Sequence, residues 1–290
     1  MSHALDFIQA AIFARLMPTI KQALLDAKQN WPNALDLDIL LCHALDKNRT
    51  YLISHNEQSL SQLEENTFNA YLKRLHNDEP TAYIIGQKEF WSLPFFVNSS
   101  VLIPRPETEL LVETALTYFG SKVNLNVLEL GTGSGCISLS LAYEKSNWSF
   151  TACDISTDAI EIAKKNQSNL KIENVNFIHS NWFEHIKDKY DLIISNPPYI
   201  AENDSHLQKL KFEPTQALVA KNNGLSDLKK IICDARSYLN DTGLLMLEHG
   251  YDQSTDVQDL FKNNHYSQIK SIHDLQNHPR ITLGIFSNLS

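Results

Sequence analysis

A chain of 290 residues with 43% hydrophobic and 20% charged side chains has room for one large domain or two modest ones, and it is too apolar to be disordered throughout. Lys and Arg number 25 against 34 Asp and Glu, a formal net charge of −9, which excludes a general cationic coat for a phosphate backbone. The four cysteines, Cys42, Cys136, Cys153 and Cys233, form no Cys-x-x-Cys pair, no apolar run is long enough for a membrane span, and the amino terminus has no basic leader pattern, so a cytoplasmic protein without a disulfide framework, a membrane segment or a metal is expected.

Residues 1–77 read as a small helical bundle. Apolar residues recur at helical spacing through Leu5, Ile8, Ile12 and Leu16, through Leu35, Ile39, Leu40 and His43, and through Leu60, Leu63, Phe68, Leu72 and Leu75. Pro18 and Pro32 punctuate these runs, and proline starts or stops helices rather than sitting inside them. Residues 78–105 change character. Pro80, Gly86 and Pro94 and the aromatic cluster Phe90, Trp91, Phe95 and Phe96 suggest an extended linker or hairpin packed as an interdomain core.

From 106 to 290 strand and helix patterns alternate. Strands are expected at Asn126–Leu130, Ser149–Cys153, Asn176–His179, Leu192–Ser195 and Leu244–Glu248, with a late antiparallel pair at Ser267–His273 and Thr282–Phe286. Helices are expected at Glu107–Tyr118, Ile137–Glu144, Thr157–Asn166, Leu225–Leu239 and Gln253–Asn263. Such alternation gives βαβ units and an α/β fold, a mostly parallel, doubly wound, Rossmann-like sheet.

Two motifs sit at strand ends of that sheet. Gly131-Thr132-Gly133-Ser134-Gly135 follows the first strand and opens a helix, so backbone can pass close to a ligand there. The next strand ends at Asp154, 21 residues after Gly133, where a carboxylate can accept hydrogen bonds from a ribose. A dinucleotide fingerprint would place a glycine at Cys136; the G-x-G-x-G spacing instead resembles the S-adenosylmethionine loop of class I methyltransferases. Glycines that merely pack a helix on a strand are the bland alternative.

Asn196-Pro197-Pro198-Tyr199 follows the apolar strand Leu192–Ser195 and reaches the same edge. Each proline fixes its own φ, lacks an N–H and pushes the preceding residue to extended geometry. The result is a stiff loop rich in carbonyl acceptors, to which Asn196 adds a side-chain carbonyl. Those acceptors suit a planar –NH2 group, and Tyr199 offers a ring to stack on it or to face a sulfonium. Asn-Pro also starts ordinary surface turns, which is the rival reading.

Asn-Pro-Pro-aromatic after such a loop is shared by methyltransferases of amide and exocyclic amino nitrogens, and the whole chain resembles the HemK/PrmC family of release-factor glutamine methyltransferases. The resemblance also runs through Pro80–Gly86, Glu89–Trp91, Leu102–Glu109, Phe212–Pro214 with Ala217 and Leu218, and Leu247–Gly250. It implies methyl transfer from S-adenosylmethionine to the side-chain amide nitrogen, N5, of the glutamine in the Gly-Gly-Gln motif of peptide-chain release factors. It further implies cofactor roles for Gly131, Thr132, Gly133, Ser134, Gly135, Asp154, Trp182 and Asn196. Asn196, Pro197, Pro198 and Tyr199 are the implied substrate-binding and catalytic residues. A release factor is a large partner, and the helical domain of residues 1–77 is expected to provide its docking surface. The run Asp274–Arg280 departs from the family pattern in having no glycine. Arg105, Glu107 and Glu109 could touch a ligand, or simply start a helix behind Pro106. Trp182 could equally be core, and Cys136 and Cys153 read as small buried hydrophobes. Alternatives are a ribosomal-protein glutamine methyltransferase, an adenine-N6 nucleic-acid methyltransferase needing a basic channel, and a non-catalytic cofactor-binding protein.

Overall fold

The computed structural model describes residues 17–31 and 33–287. The expected helical pattern through Leu5–Leu16 and the break at Pro32 lie outside the described residues. The chain divides into two compact units at Ile85/Gly86.

The first unit is helical: α1 (Ile20–Lys28), α2 (Ala34–Leu45), α3 (Arg49–Ser54), α4 (Gln62–His76) and α5 (Thr81–Ile85). Side-chain caps start the first four. Thr19, Asn33, Asn48 and Ser61 each accept a backbone N–H, and Ser61 with Glu64 completes a reciprocal capping box. The buried face of α2 is Leu37, Leu40, Leu41 and Leu45, while Leu35 is 52% exposed. The helix is apolar almost all round, so periodicity alone points to the wrong stripe. Residues 78–85, which composition places in the linker, fold with this unit. Arg74 grips Glu79 through two nitrogens at 2.8 and 2.6 Å and donates to the carbonyls of Tyr83 and Ile84.

The second unit opens with a hairpin, β1 (Gln87–Phe90) and β2 (Leu93–Phe96). Its two-residue turn is Trp91-Ser92, with φ of 52° and 58°, the mirror-image turn that matches strand twist. Phe90 and Phe95 are buried edge-to-face in the core of this unit itself. The turn is tied down by Glu109, which accepts the Trp91 N–H, and by Glu144, which accepts its indole N–H.

A seven-stranded sheet follows, in the order β10-β11-β9-β6-β3-β4-β5. It comprises β3 (Asn126–Leu130), β4 (Ser149–Asp154), β5 (Val175–His179), β6 (Tyr190–Ser195), β9 (Leu239–Glu248), β10 (Ser267–His273) and β11 (Pro279–Ile285). Strands β5, β4, β3, β6 and β9 are parallel, and β11 and β10 run antiparallel at one edge. Helices α6 (Glu109–Phe119), α7 (Cys136–Glu144) and α8 (Thr157–Leu170) cover one face, and α9 (Ser226–Ala235) and α10 (Ser254–Asn263) the other. Strand residues alternate between the two cores: Val127 packs in one, Leu128 and Leu130 in the other. Burial on both faces explains why the strands read as apolar runs.

Two expectations need adjustment. The helix expected to run to Leu239 ends at Ala235, and β9 begins at Leu239, ahead of the expected Leu244. Between those points Asn240–Gly243 breaks the register with β6, with Thr242 at φ 62°. The turn chemistry of that segment hides a strand interrupted by a bulge. The short parallel ladder of β7 (Ile200–Ala201) with β8 (Val219–Ala220) had no periodic signal, being two residues a side.

Strand order reverses between β3 and β6. In an open parallel sheet the crevice for a ligand lies outside the carboxyl ends at that point. The glycine loop ends β3 and the Asn196 tetrad ends β6, so the topology brings the two motifs together.

Candidate active site

A cavity of about 330 Å³ opens at the switch point. Gly131, Thr132, Gly133 and Ser134 line it from β3, Asp154 from β4, Trp182 from the loop after β5, and Asn196 and Pro198 from the tetrad. Gly135 lies beneath rather than beside it, since a Cβ there would sit 2.9 Å from Leu139 and 3.3 Å from Ala163 and Phe177. Gly133 differs: at φ 54° a Cβ would meet no protein atom within 4 Å, so the space above it is open to a ligand. Asp154 holds that turn, accepting the Gly133 N–H at 2.8 Å and the Ser156 N–H at 2.9 Å. With the Ile155 N–H as a third donor, the carboxylate still keeps acceptor capacity for a ligand hydroxyl. Burial raises the Asp154 pKa, and the N–H donors oppose that shift.

Trp182 sits at φ 52°, a left-handed conformation that costs a bulky residue on the order of 1–3 kcal/mol. Its carbonyl is held by Ser180 Oγ at 2.9 Å and its indole by Asp227, while its ring lies against Gly131. A flat ring is thus fixed in the cavity wall, where an adenine could rest.

A second cavity of about 280 Å³ adjoins the first. Pro197, Tyr199 and Ile200 line it, and it shares Asn196, Leu102, Arg105 and Ala217 with the larger one. Asn196 therefore stands where two compartments meet. Its Nδ2 donates to Thr108 Oγ1 at 3.1 Å. Tyr199 donates its phenol to Glu248 Oε1 at 3.2 Å, and burial beside that carboxyl pushes the phenol pKa far up. The ring is anchored from behind, which makes it a fixed wall. The Tyr199 carbonyl accepts from Gln253 Nε2 at 3.0 Å, and Ser195 Oγ donates to the Leu130 carbonyl at 2.7 Å.

Of the residues behind Pro104 that could touch a ligand or merely start a helix, the structure separates two. Arg105 lines both cavities and pairs with Glu213 at 2.5 Å; Glu213 also accepts the Ile103 N–H, so it ties the strap before α6 to the far side of the second cavity. Glu109 holds the Trp91 turn and makes no cavity wall. Asn166 was not anticipated: fully buried, it bonds Phe96 through N–H and C=O and donates to the Ser134 carbonyl, linking hairpin to glycine loop. Cys136 and Cys153 are buried, and desolvation pushes the Cys153 thiol up to about 12, so neither is a nucleophile at neutral pH. In the glycine-free run Asp274–Arg280, Asn277 takes the left-handed position at φ 65°, and Asp274 pairs with Arg280 at 2.8 Å.

Glu129 lies fully buried beside the loop. Oε2 accepts from Thr132 Oγ1 at 2.7 Å and from the Ser138 N–H at 3.1 Å, while Oε1 has no partner. Desolvation lifts its pKa from 4.5 to about 7. A carboxyl raised on folding stabilises the fold below its unfolded pKa, and that contribution is lost as pH rises through the folded pKa. Melting curves of the ligand-free protein should therefore fall relative to Glu129→Gln between about pH 4.5 and 8, by on the order of 3 kcal/mol. A difference that stays constant across the window would contradict the burial argument.

Fold and site together define a methyltransferase domain. A family model described as a methyltransferase domain matches residues 121–281, and one described as the PrmC N-terminal domain matches residues 20–86. The release factor glutamine methyltransferase of Aliivibrio fischeri is 45% identical over 86% of this chain and 89% of its own length. That of Haemophilus influenzae is 39% identical over 92% of this chain and 97% of its own. The chain belongs to the release factor glutamine methyltransferase family. Among solved structures, a methyltransferase from Pyrococcus furiosus matches 76% of this chain and 99% of its own with a TM-score of 0.51 and 15% identity, which speaks to fold alone.

Proposed function

We propose that this chain methylates the side-chain amide nitrogen, N5, of the glutamine in the Gly-Gly-Gln motif of peptide-chain release factors, using S-adenosylmethionine. The observation that carries the reading is the position of Asn196, shared by a nucleoside-sized cavity and a smaller one behind it. Gly131, Thr132, Gly133, Ser134, Asp154 and Trp182 would hold the cofactor, and the open space at Gly133 fits close backbone approach. The bound cofactor supplies a methyl group on an electrophilic sulfonium.

The residues of the chain then have to prepare a poor nucleophile. Amide resonance, the source of an 18–20 kcal/mol rotation barrier, delocalises the nitrogen lone pair. Asn196 Oδ1 and a backbone carbonyl of the Pro-Pro loop accept the two amide N–H bonds and hold them out of plane, directing the lone pair toward the larger cavity. The loop is stiff before substrate arrives, so little ordering remains to be done, and such positioning lowers barriers by about 7–11 kcal/mol in favourable cases. The proton lost afterwards leaves through these acceptors or water. Tyr199, fixed by Glu248, closes the far wall.

A nucleic-acid amine is disfavoured by charge. The chain carries −9 overall, and in the second cavity Arg105 is paired with Glu213, which leaves Lys209 as the one other lysine or arginine of its wall, too little for a phosphate track. Release factors act in the cytoplasm, and four free thiols suit that compartment. Among the described residues no helix is long and apolar enough to cross a membrane. The decisive assay is transfer of label from S-adenosylmethionine to a purified release factor, beside its Gly-Gly-Gln→Gly-Gly-Ala variant and duplex DNA. Label on the unaltered factor alone is expected; label on DNA alone would overturn the reading.

The helical unit is the proposed docking surface for the factor. Removing residues 1–85 should weaken binding of the whole factor while cofactor binding persists. Undiminished activity of the truncated enzyme on the intact factor would remove that role.

A further inference from the structure

Glu248 lines neither cavity, yet two of the groups that build the grip, Tyr199 and Thr108, converge on it. It ends β9, is 2% exposed, and stands behind the tetrad. Oε1 accepts the Tyr199 phenol at 3.2 Å. Besides Tyr199, the Thr108 hydroxyl, from the turn before α6, and the charge of Arg280 stabilise its ionised form. Oε2 meets no partner at strict hydrogen-bonding geometry, so the carboxyl is buried with acceptor capacity to spare.

We propose that Glu248 is a positioning residue for the methylated amide: it sets the direction of hydrogen bonding through Thr108 to Asn196 and holds the Tyr199 ring in place. The inference rests on the amide-methylation reading above and deepens it. An ionised carboxylate can only accept. A Thr108 hydroxyl whose proton turns to Glu248 can offer Asn196 nothing but lone pairs. Asn196 must then present Nδ2 to Thr108, as it does at 3.1 Å. With Nδ2 used, Oδ1 is the end left for an incoming amide, and an acceptor is what an –NH2 group requires. The order reverses when Glu248 carries a proton. Its O–H can donate to Thr108, Thr108 can donate to Asn196 Oδ1, and the side-chain amide then shows the substrate a donor facing a donor.

The groups around Glu248 are Tyr199 after β6, Arg280 on β11, Glu107 and Thr108 before α6, and Cys136 on α7. His249, next in sequence, is turned away to Thr282 and the Gly250 carbonyl. Arg280 favours the charged carboxyl and Glu107 opposes it, and burial brings its pKa to about 7. Both orders of the chain are therefore accessible near neutral pH, with the productive one on the alkaline side.

Two variants separate this role from simple packing. Thr108→Val keeps shape and removes the hydroxyl; Thr108→Ser keeps the hydroxyl. For Glu248→Gln and Thr108→Val, kcat is expected to fall by roughly 10²-fold, the cost of about 1 Å of misplacement, with the cofactor KM little changed. Thr108→Ser should recover most of that loss, and the double variant should lose no more than either single one. The wild-type kcat should rise with pH through a midpoint near 7 that Glu248→Gln lacks. Full kcat in both folded single variants, or losses that multiply in the double variant, would overturn the proposal. A measurement without substrate keeps it separate from the release-factor reading. The Asn196 side-chain NH2 signal in the NMR spectrum, assigned by its disappearance in Asn196→Ala, should shift with the same midpoint in wild type and not in Thr108→Val. A signal indifferent to pH, or a shift that survives Thr108→Val, sinks the relay whatever the substrate; failure of the wild type to label a release factor sinks only the substrate reading.

Discussion

Asn196→Ala is expected to lose turnover by at least about 10³-fold while still binding S-adenosylmethionine, since removal of one preorganised polar partner of a reacting group costs on the order of 10²–10³ in kcat. Three changes coincide in this variant. The Oδ1 acceptor disappears, so one amide N–H of the substrate has no partner and the lone pair returns to resonance. The bond to Thr108 Oγ1 disappears too, which frees the first residue of the stiff loop. The wall between the two cavities is also lost. The cofactor side is less affected, because the glycine loop, Asp154 and Trp182 are braced independently by Glu129, the Ser156 N–H and Asp227. Calorimetric titration with the cofactor and a methyl-transfer assay on the same preparation read the two effects apart. Near-normal turnover in a folded Asn196→Ala protein would refute the amide grip.

The fold was legible where burial makes sequence repetitive. Val127–Leu130, Phe150–Cys153 and Leu192–Ile194 are apolar but for Glu129 and Thr151 because both faces of the sheet are covered, and their ends carry the motifs. Glycines and prolines mark the backbone chemistry of Gly131–Gly135 and Asn196–Tyr199 directly. The supporting groups were not legible as such. Thr108, Glu213 and Glu248 act across separations of 88, 108 and 49 residues from their partners, and nothing local in a threonine or glutamate announces that. Only their places within Leu102–Glu109, Phe212–Pro214 and Leu247–Gly250 hinted that those segments mattered. Leu35 misled for the opposite reason: on a helix apolar all round, spacing cannot choose a face. Trp91-Ser92 carries neither glycine nor asparagine, so its turn is imposed by Glu109 and Glu144 instead of by local preference.

Gly224→Ala should give the second large effect, from a residue outside both motifs. Gly224 has φ 82°, and a Cβ there would lie 2.0 Å from the Tyr199 carbonyl oxygen, 2.7 Å from its carbon and 2.6 Å from Gln253 Nε2. The left-handed backbone alone costs alanine about 1–2 kcal/mol. The overlap is with main chain, which no rotamer change relieves, so the exit of the tetrad must move. Gln253 then loses its hold on the Tyr199 carbonyl, and the phenol is drawn from Glu248. A shift of about 1 Å at the loop is enough for a roughly 10²-fold loss of kcat. Cofactor affinity should survive, because Gly224 touches none of the groups around the larger cavity's glycine loop. Gly133→Ala is the opposite case. Its Cβ would meet open space in the protein, the space a cofactor needs, so it should weaken cofactor binding with a smaller loss of melting temperature. Melting curves, cofactor titration and turnover on the two variants distinguish a glycine kept for the chain's own backbone from one kept for a ligand. If Gly224→Ala retains both its melting temperature and its kcat, the tetrad is not held from behind by this turn.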